Sequence, residues 1–267
     1  MKKYRISVDD CIVFLQDLNE NNYKSIFENE FLSFIKKVHD QYQASFCLNL
    51  FYSNETSENF DLPFKFFSLK NMTDKYKKEF IANSDWLRLS FHSKKENPPY
   101  PYQTSDYNEV YMDAKKVNDE IIRFAGKESL SKEMTLHFGN CTKEGFKALK
   151  DIGYQVFYGY LSVNENQPFG AYYFDNDFLL SHQFPLFKLE EIIFKKTDIL
   201  LNAYHDIQRI EKDLNQLLKT NEDFYELMFH EQYFYSNYKY FIPNYRQIIE
   251  RAAEIMKNFG YLGGFIK

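Results

Sequence analysis

Four short apolar runs in this chain each end on a side chain that can hold a metal. Residues 4–8 deliver Asp9 and Asp10, 86–91 deliver His92, 134–136 deliver His137 and 227–229 deliver His230. Between these runs lie segments with helical periodicity: 30–41, with Phe31, Phe34, Ile35 and Val38 on one face, then 73–82, 106–125, 142–152, 207–219 and 245–259. Strands alternating with helices imply parallel strands with the helices outside. In a parallel barrel, strand ends that lead into helices open on one rim. The pattern therefore predicts an α/β fold, a complete or incomplete (β/α) barrel, with carboxylate and imidazole groups meeting at its mouth.

Residues 164–196 depart from the rhythm, and 172–180 are expected to form a small hairpin inserted at the rim, after which the alternation resumes with a strand over 198–203. A Pro/Tyr-rich stretch over 97–102 excludes regular structure there, and 53–59 are expected to form a polar loop. No linker or repeat divides the chain, so 1–267 is expected to be one domain.

Composition narrows the function. A net charge of −5 without a basic stripe argues against nucleic acid as partner. Three cysteines at 11, 47 and 141, with no CxxC, suggest neither a zinc knuckle nor a disulfide framework. No run of about 18 apolar residues would span a membrane. The opening MKKYRISVDD lacks an apolar signal core, so a cytoplasmic location is the default expectation. The aromatic content of 19% could line a sugar-binding cleft, although most of these rings must be core.

The adjacent carboxylates Asp9 and Asp10 are costly unless a positive group faces them. One reading is a solvated loop in which Asp10 caps the next helix. The recurrence of His92, His137 and His230 in the same slot favours a metal site instead. One Asp and two His suit a divalent transition metal, zinc first among them, with water in an open position. A second carboxylate could take that water's proton, and a further His could protonate a leaving group. His39, His182 and His205 fall on helices or loops and are expected to be structural.

These residues resemble a known family. Ser7-Val8-Asp9-Asp10-Cys11 is similar to the TFDDG motif of NodB-type polysaccharide deacetylases (carbohydrate esterase family 4), and Phe91-His92-Ser93-Lys94-Lys95-Glu96 to their H-[ST]-x-x-H motif. Leu136-His137-Phe138-Gly139 falls where the family has R-x-P-x-G, and Leu227-Met228-Phe229-His230 resembles its closing L-x-H. The resemblance implies a distorted (β/α) barrel that removes acetyl groups from an acylated carbohydrate. It implies Asp9 as base, His230 as acid, and Asp10 and His92 as metal ligands. The third ligand is either Glu96, which stands at the family's spacing, or His137. A strand end sets the direction of His137 and imidazole suits zinc, so His137 is favoured and Glu96, with Glu231, is assigned to substrate binding. Two alternatives are an inactive barrel that binds glycans or another partner, and a glycoside hydrolase using Glu231 with Asp9 or Asp198.

Overall fold

The computed structural model describes residues 1–54 and 65–266. The first half runs β1 (Lys3–Cys11), α1 (Val13–Asn21), α2 (Glu30–Tyr42), β2 (Phe46–Phe51), α3 (Lys77–Ala82), β3 (Leu87–Ser93) and α4 (Tyr107–Ala125). Next come β4 (Glu133–Thr135), α5 (Lys143–Asp151), β5 (Val156–Gly159), β6 (Ser162–Asn164), β7 (Gln167–Phe169), α6 (Asn176–Ser181) and β8 (Leu186–Leu189). The chain ends with β9 (Ile192–Lys196), β10 (Ile199–Leu200), α7 (Ile207–Leu217), β11 (Phe224–His230), α8 (Tyr245–Asn258) and β12 (Leu262–Gly263).

The helices start and stop where the local chemistry directs. Asn29, Asp106 and Thr142 each accept an amide from the first turn of α2, α4 and α5. Helix α5 ends two residues before Gly153, whose φ of 113° is open to glycine and strained for other residues. The apolar faces of α2 and α4 are buried against the sheet.

Apart from the separate β6–β7 pair, the described strands form two hydrogen-bonded arcs. One is β10-β11-β1-β2-β3, all parallel, with β12 beside β1. The other is β4-β5-β9, parallel, with β8 antiparallel at its edge. On one side the arcs are joined by the chain itself. Residues 192–196 pair with β5 and 199–200 with β11, and Thr197 and Asp198 between them donate to Gly159 O and Glu226 O. On the other side the ladder is open. Among the described residues one bridge, Leu89 with Leu130, joins β3 to the segment leading into β4, and the Ser131 amide donates to Leu89 O at 2.8 Å.

Side chains inside the arcs show that they enclose one interior. Arg5 of β1 bonds Glu226 of β11 at 2.7 Å and Glu133 of β4 at 2.8 Å, while Tyr158 of β5 donates to Glu133 at 3.0 Å. These four residues come from both arcs and are all buried. The period-two alternation of β1 then places Arg5, Ser7 and Asp9 inward and Tyr4, Ile6 and Val8 against the helices. The architecture is a distorted (β/α) barrel whose ladder is not a complete ring.

Three expected elements are corrected. The inserted hairpin is β6–β7, not 172–180. Its turn residues Glu165 and Asn166 both have positive φ, 49° and 61°, as a two-residue hairpin turn requires, but no glycine marks them. Asp175 instead caps α6. Helix α3 begins at Lys77 because Thr73 turns the chain tightly onto the Lys75 amide. The strand expected over 198–203 is cut to β10 and a helical turn. Most of the polar loop over 53–59 lies outside the described residues. No helix among the described residues is long and apolar enough to cross a membrane.

Candidate metal centre

In a regular strand, neighbouring side chains point to opposite faces, so Asp9 and Asp10 would part company. They do not. Asp10 sits in the left-handed region at φ 59°, and the register of β1 on β2 slips between Val8 and Cys11. This bulge re-aims the second carboxylate, and both line the same cleft. Asp9 is held by Asn49 of β2, whose amide donates to its Oδ1 at 2.7 Å.

Asp10 Oδ1 lies 3.1 Å from His92 Nε2 and 3.3 Å from His137 Nδ1, and those two nitrogens are 3.1 Å apart. His92 is the last residue but one of β3, and His137 lies two residues past the end of β4. Each ring is fixed from behind. His92 Nδ1 donates to Thr135 O at 2.6 Å, and His137 Nε2 donates to Glu96 O at 2.9 Å. A carbonyl oxygen only accepts, so each bond puts the proton on the outer nitrogen. In the neutral ring the inner nitrogen is then a bare lone pair. Two lone pairs and a carboxylate oxygen facing one point call for a cation. The distances agree: around a tetrahedral ion bound at about 2.0 Å, donor atoms lie about 3.3 Å apart. These three groups could hold a metal ion. Phe51 backs both imidazoles, its ring centroid 5.4 Å from His92 and 5.0 Å from His137.

Electrostatics follows the geometry. Burial pushes the Asp10 carboxyl up, but the charge of His230 and the adjacent imidazoles of His137 and His92 hold it well below the usual carboxylate range. Burial pulls His92 down, and the charge of Asp9 with the neighbouring Asp10 carboxylate overrides this and raises it.

His230 stands across the cleft, its Nε2 3.9 Å from Asp10 Oδ2. Its Nδ1 donates to Asn202 Oδ1 at 2.9 Å, which turns Nε2 toward the cleft. Asp9, Asp10, His92, His137, His230 and Glu96 thus line one space of about 360 Å³. Glu96 meets the His137 ring through its peptide carbonyl and is not part of the three-residue cluster.

Glu231 is not in the cleft, and its assignment to substrate is corrected. It is wholly buried, and its carboxylate accepts the amides of Ile12, Val13 and Phe14 at 2.9, 3.1 and 2.7 Å, plus the Tyr235 hydroxyl. It, not Asp10, caps α1. Asp198 is likewise engaged, by Lys195 at 2.6 Å and by the Glu226 amide. Neither pair expected for a metal-free glycosidase, Glu231 with Asp9 or Glu231 with Asp198, is therefore brought together in the cleft. His39 stacks on Trp86 and His182 on Phe178, away from the cleft.

Sequence reasoning missed Asn49 and Asn202. Asn49 carried a signal, being the one strongly polar residue in Phe46-Cys47-Leu48-Asn49-Leu50-Phe51. Asn202 carried none.

No protein-family model matches the chain, and no curated protein matches it by sequence. Solved structures do. A 4-alpha-glucanotransferase from Thermococcus litoralis matches at 9% identity and TM-score 0.56, over 98% of this chain and 39% of that one. A Streptococcus mutans CE4 esterase matches at 11% identity and TM-score 0.46, over 100% of this chain and 86% of that one. A polysaccharide deacetylase from Bacillus cereus matches at 11% identity and TM-score 0.42, over 100% and 93%. The first likeness bears on backbone architecture alone. The chain spans well under half of that protein.

Proposed function

We propose that the chain is a divergent relative of the NodB-type polysaccharide deacetylases, a metal-dependent hydrolase that removes acetyl groups from an acylated carbohydrate. The observation that carries this reading is the triangle of Asp10 Oδ1, His92 Nε2 and His137 Nδ1, with edges of 3.1 to 3.3 Å. The donor set, one carboxylate and two imidazoles, suits zinc. When bound there, the ion supplies Lewis acidity to a carbonyl and acidity to a water.

The protein's own residues do the rest. Asp9, next to the triangle and pinned by Asn49, accepts the proton of the attacking water. His230, on the opposite wall and oriented by Asn202, delivers a proton to the departing amine or alcohol. Exposed and half-buried rings around the opening, Tyr100, Phe138, Tyr160 and Tyr233 among them, offer flat faces to a sugar. The buried rear of the site keeps bulk water from the ligating atoms.

The test is metal content. Protein stripped with chelator and titrated with zinc is expected to take up about one equivalent. Asp10→Asn is expected to abolish uptake, whereas Asp9→Asn keeps it and loses deacetylation of acetylated oligosaccharides. Equal loss of metal in both variants would contradict the division of labour. No uptake by the unmodified chain would end the hydrolase reading.

A further inference from the structure

Beyond the aromatic rim of the cleft lies a second cavity of about 410 Å³, lined by Gln103, Asn140, Gln167, Tyr173 and again Tyr100. Tyr100 belongs to both walls, and its ring packs on Phe138 of the inner cleft at a centroid distance of 4.5 Å. These two rings are 39% and 41% exposed. Both residues also sit on left-handed backbone, at φ 53° and 57°. A left-handed non-glycine residue costs on the order of 1–3 kcal/mol, and such residues gather where a ligand is clamped. An open ring recovers little of that cost from burial.

The outer cavity has its own chemistry. Among the described residues, no charged side chain lines it. Asn140 is nine-tenths buried, and its Oδ1 accepts the Ala171 amide at 3.0 Å, which leaves its Nδ2 hydrogens to the cavity. Gln103 and Gln167 are exposed, and each offers a donor and an acceptor. Neutral amides beside aromatic faces do not suit a phosphate or a peptide terminus. They do suit a pyranose, which shows C–H groups on its faces and hydroxyls that donate and accept around its edge. The inserted hairpin β6–β7 builds this wall, since Gln167 and Pro168 line the outer space while Phe169 lines the inner one.

We propose that this outer cavity is a binding subsite for a second, neutral sugar unit. That unit is linked to the one whose acetyl group enters the inner cleft, and the linkage passes over the Tyr100–Phe138 platform. The inference rests on the carbohydrate reading above and goes further by fixing where a neighbouring unit sits.

Calorimetric titration of zinc-loaded protein separates the possibilities. The probes are N-acetylglucosamine against tri-N-acetylchitotriose, and acetylated xylose against acetylated xylotriose. In a series that binds, the trimer is expected to bind at least about tenfold more tightly than the monomer, the worth of one or two added hydrogen bonds. Gln167→Trp, which fills the outer cavity, and the double variant Gln103→Ala/Gln167→Ala should each erase most of that advantage. Monomer affinity and zinc stoichiometry report whether the inner cleft still stands. A trimer no tighter than the monomer, or an advantage untouched by both variants, overturns the outer subsite and leaves the hydrolase reading in place. No binding in either series overturns the carbohydrate reading, and the subsite falls with it.

Discussion

His137 and Glu96 stand at the two ends of one hydrogen bond, and their side chains make unequal contributions to the centre. His137 brings a ring nitrogen to the triangle; Glu96 brings a peptide carbonyl, which any residue would supply. His137→Ala is therefore expected to weaken zinc binding by at least about a hundredfold, and Glu96→Ala by no more than a few-fold. A competition titration against a fluorescent chelator reads both. If Glu96→Ala alone loses the metal, its carboxylate and not the His137 ring completes the site. The contrast also shows what was legible at this scale. Histidines that end apolar runs declared themselves, because a parallel barrel turns strand ends into a common rim. Asn49 and Asn202 did not, since an asparagine acquires a partner 40 or 28 residues away only once the sheet has formed. The bulge that brings Asp9 and Asp10 to one side was equally hidden, because aspartate visits positive φ more readily than most residues but nothing in the run shows which of the two does so.

Element by element, strands β1, β3 and β11 and helices α4 and α8 followed from periodicity, whereas the region between β5 and β9 did not. There, turn residues without glycine and a helix of six residues leave no periodic trace. The end of β11 was half legible. His230 and Glu231 are neighbours with opposite duties, one facing the cleft and the other capping α1 from 217 residues away in sequence. Removing that carboxylate strands three backbone N–H groups, two of them in buried residues, and the Tyr235 hydroxyl. Glu231→Ala is expected to lower unfolding free energy by about 3 kcal/mol, and Glu231→Gln by about half as much, because one amide oxygen remains to accept. Urea unfolding of the metal-free protein measures both. A loss below about 0.5 kcal/mol in Glu231→Ala would mean that water satisfies the start of α1.

On the scale of the whole molecule, the open seam between β3 and β4 divides the candidate centre. Asp10 and His92 belong to one arc of the barrel and His137 to the other. Deep in the interior the arcs are tied by Arg5 to Glu133, and near the mouth by the His92 bond to Thr135 O. A cation held by all three ligands would act as a clasp on a garment already fastened at the hem. Its binding energy would oppose breathing of the barrel as well as serve chemistry. Hydrogen exchange makes this visible. The Ser131 amide, which crosses the seam to Leu89 O, is expected to exchange at least about tenfold more slowly with zinc bound, while amides between β1 and β11 change little. Equal protection of Ser131 with and without zinc would show that the seam opens independently of the clasp. If the clasp holds, metal supply sets how long this barrel stays shut, and starvation for the ion would loosen the fold along one predetermined line.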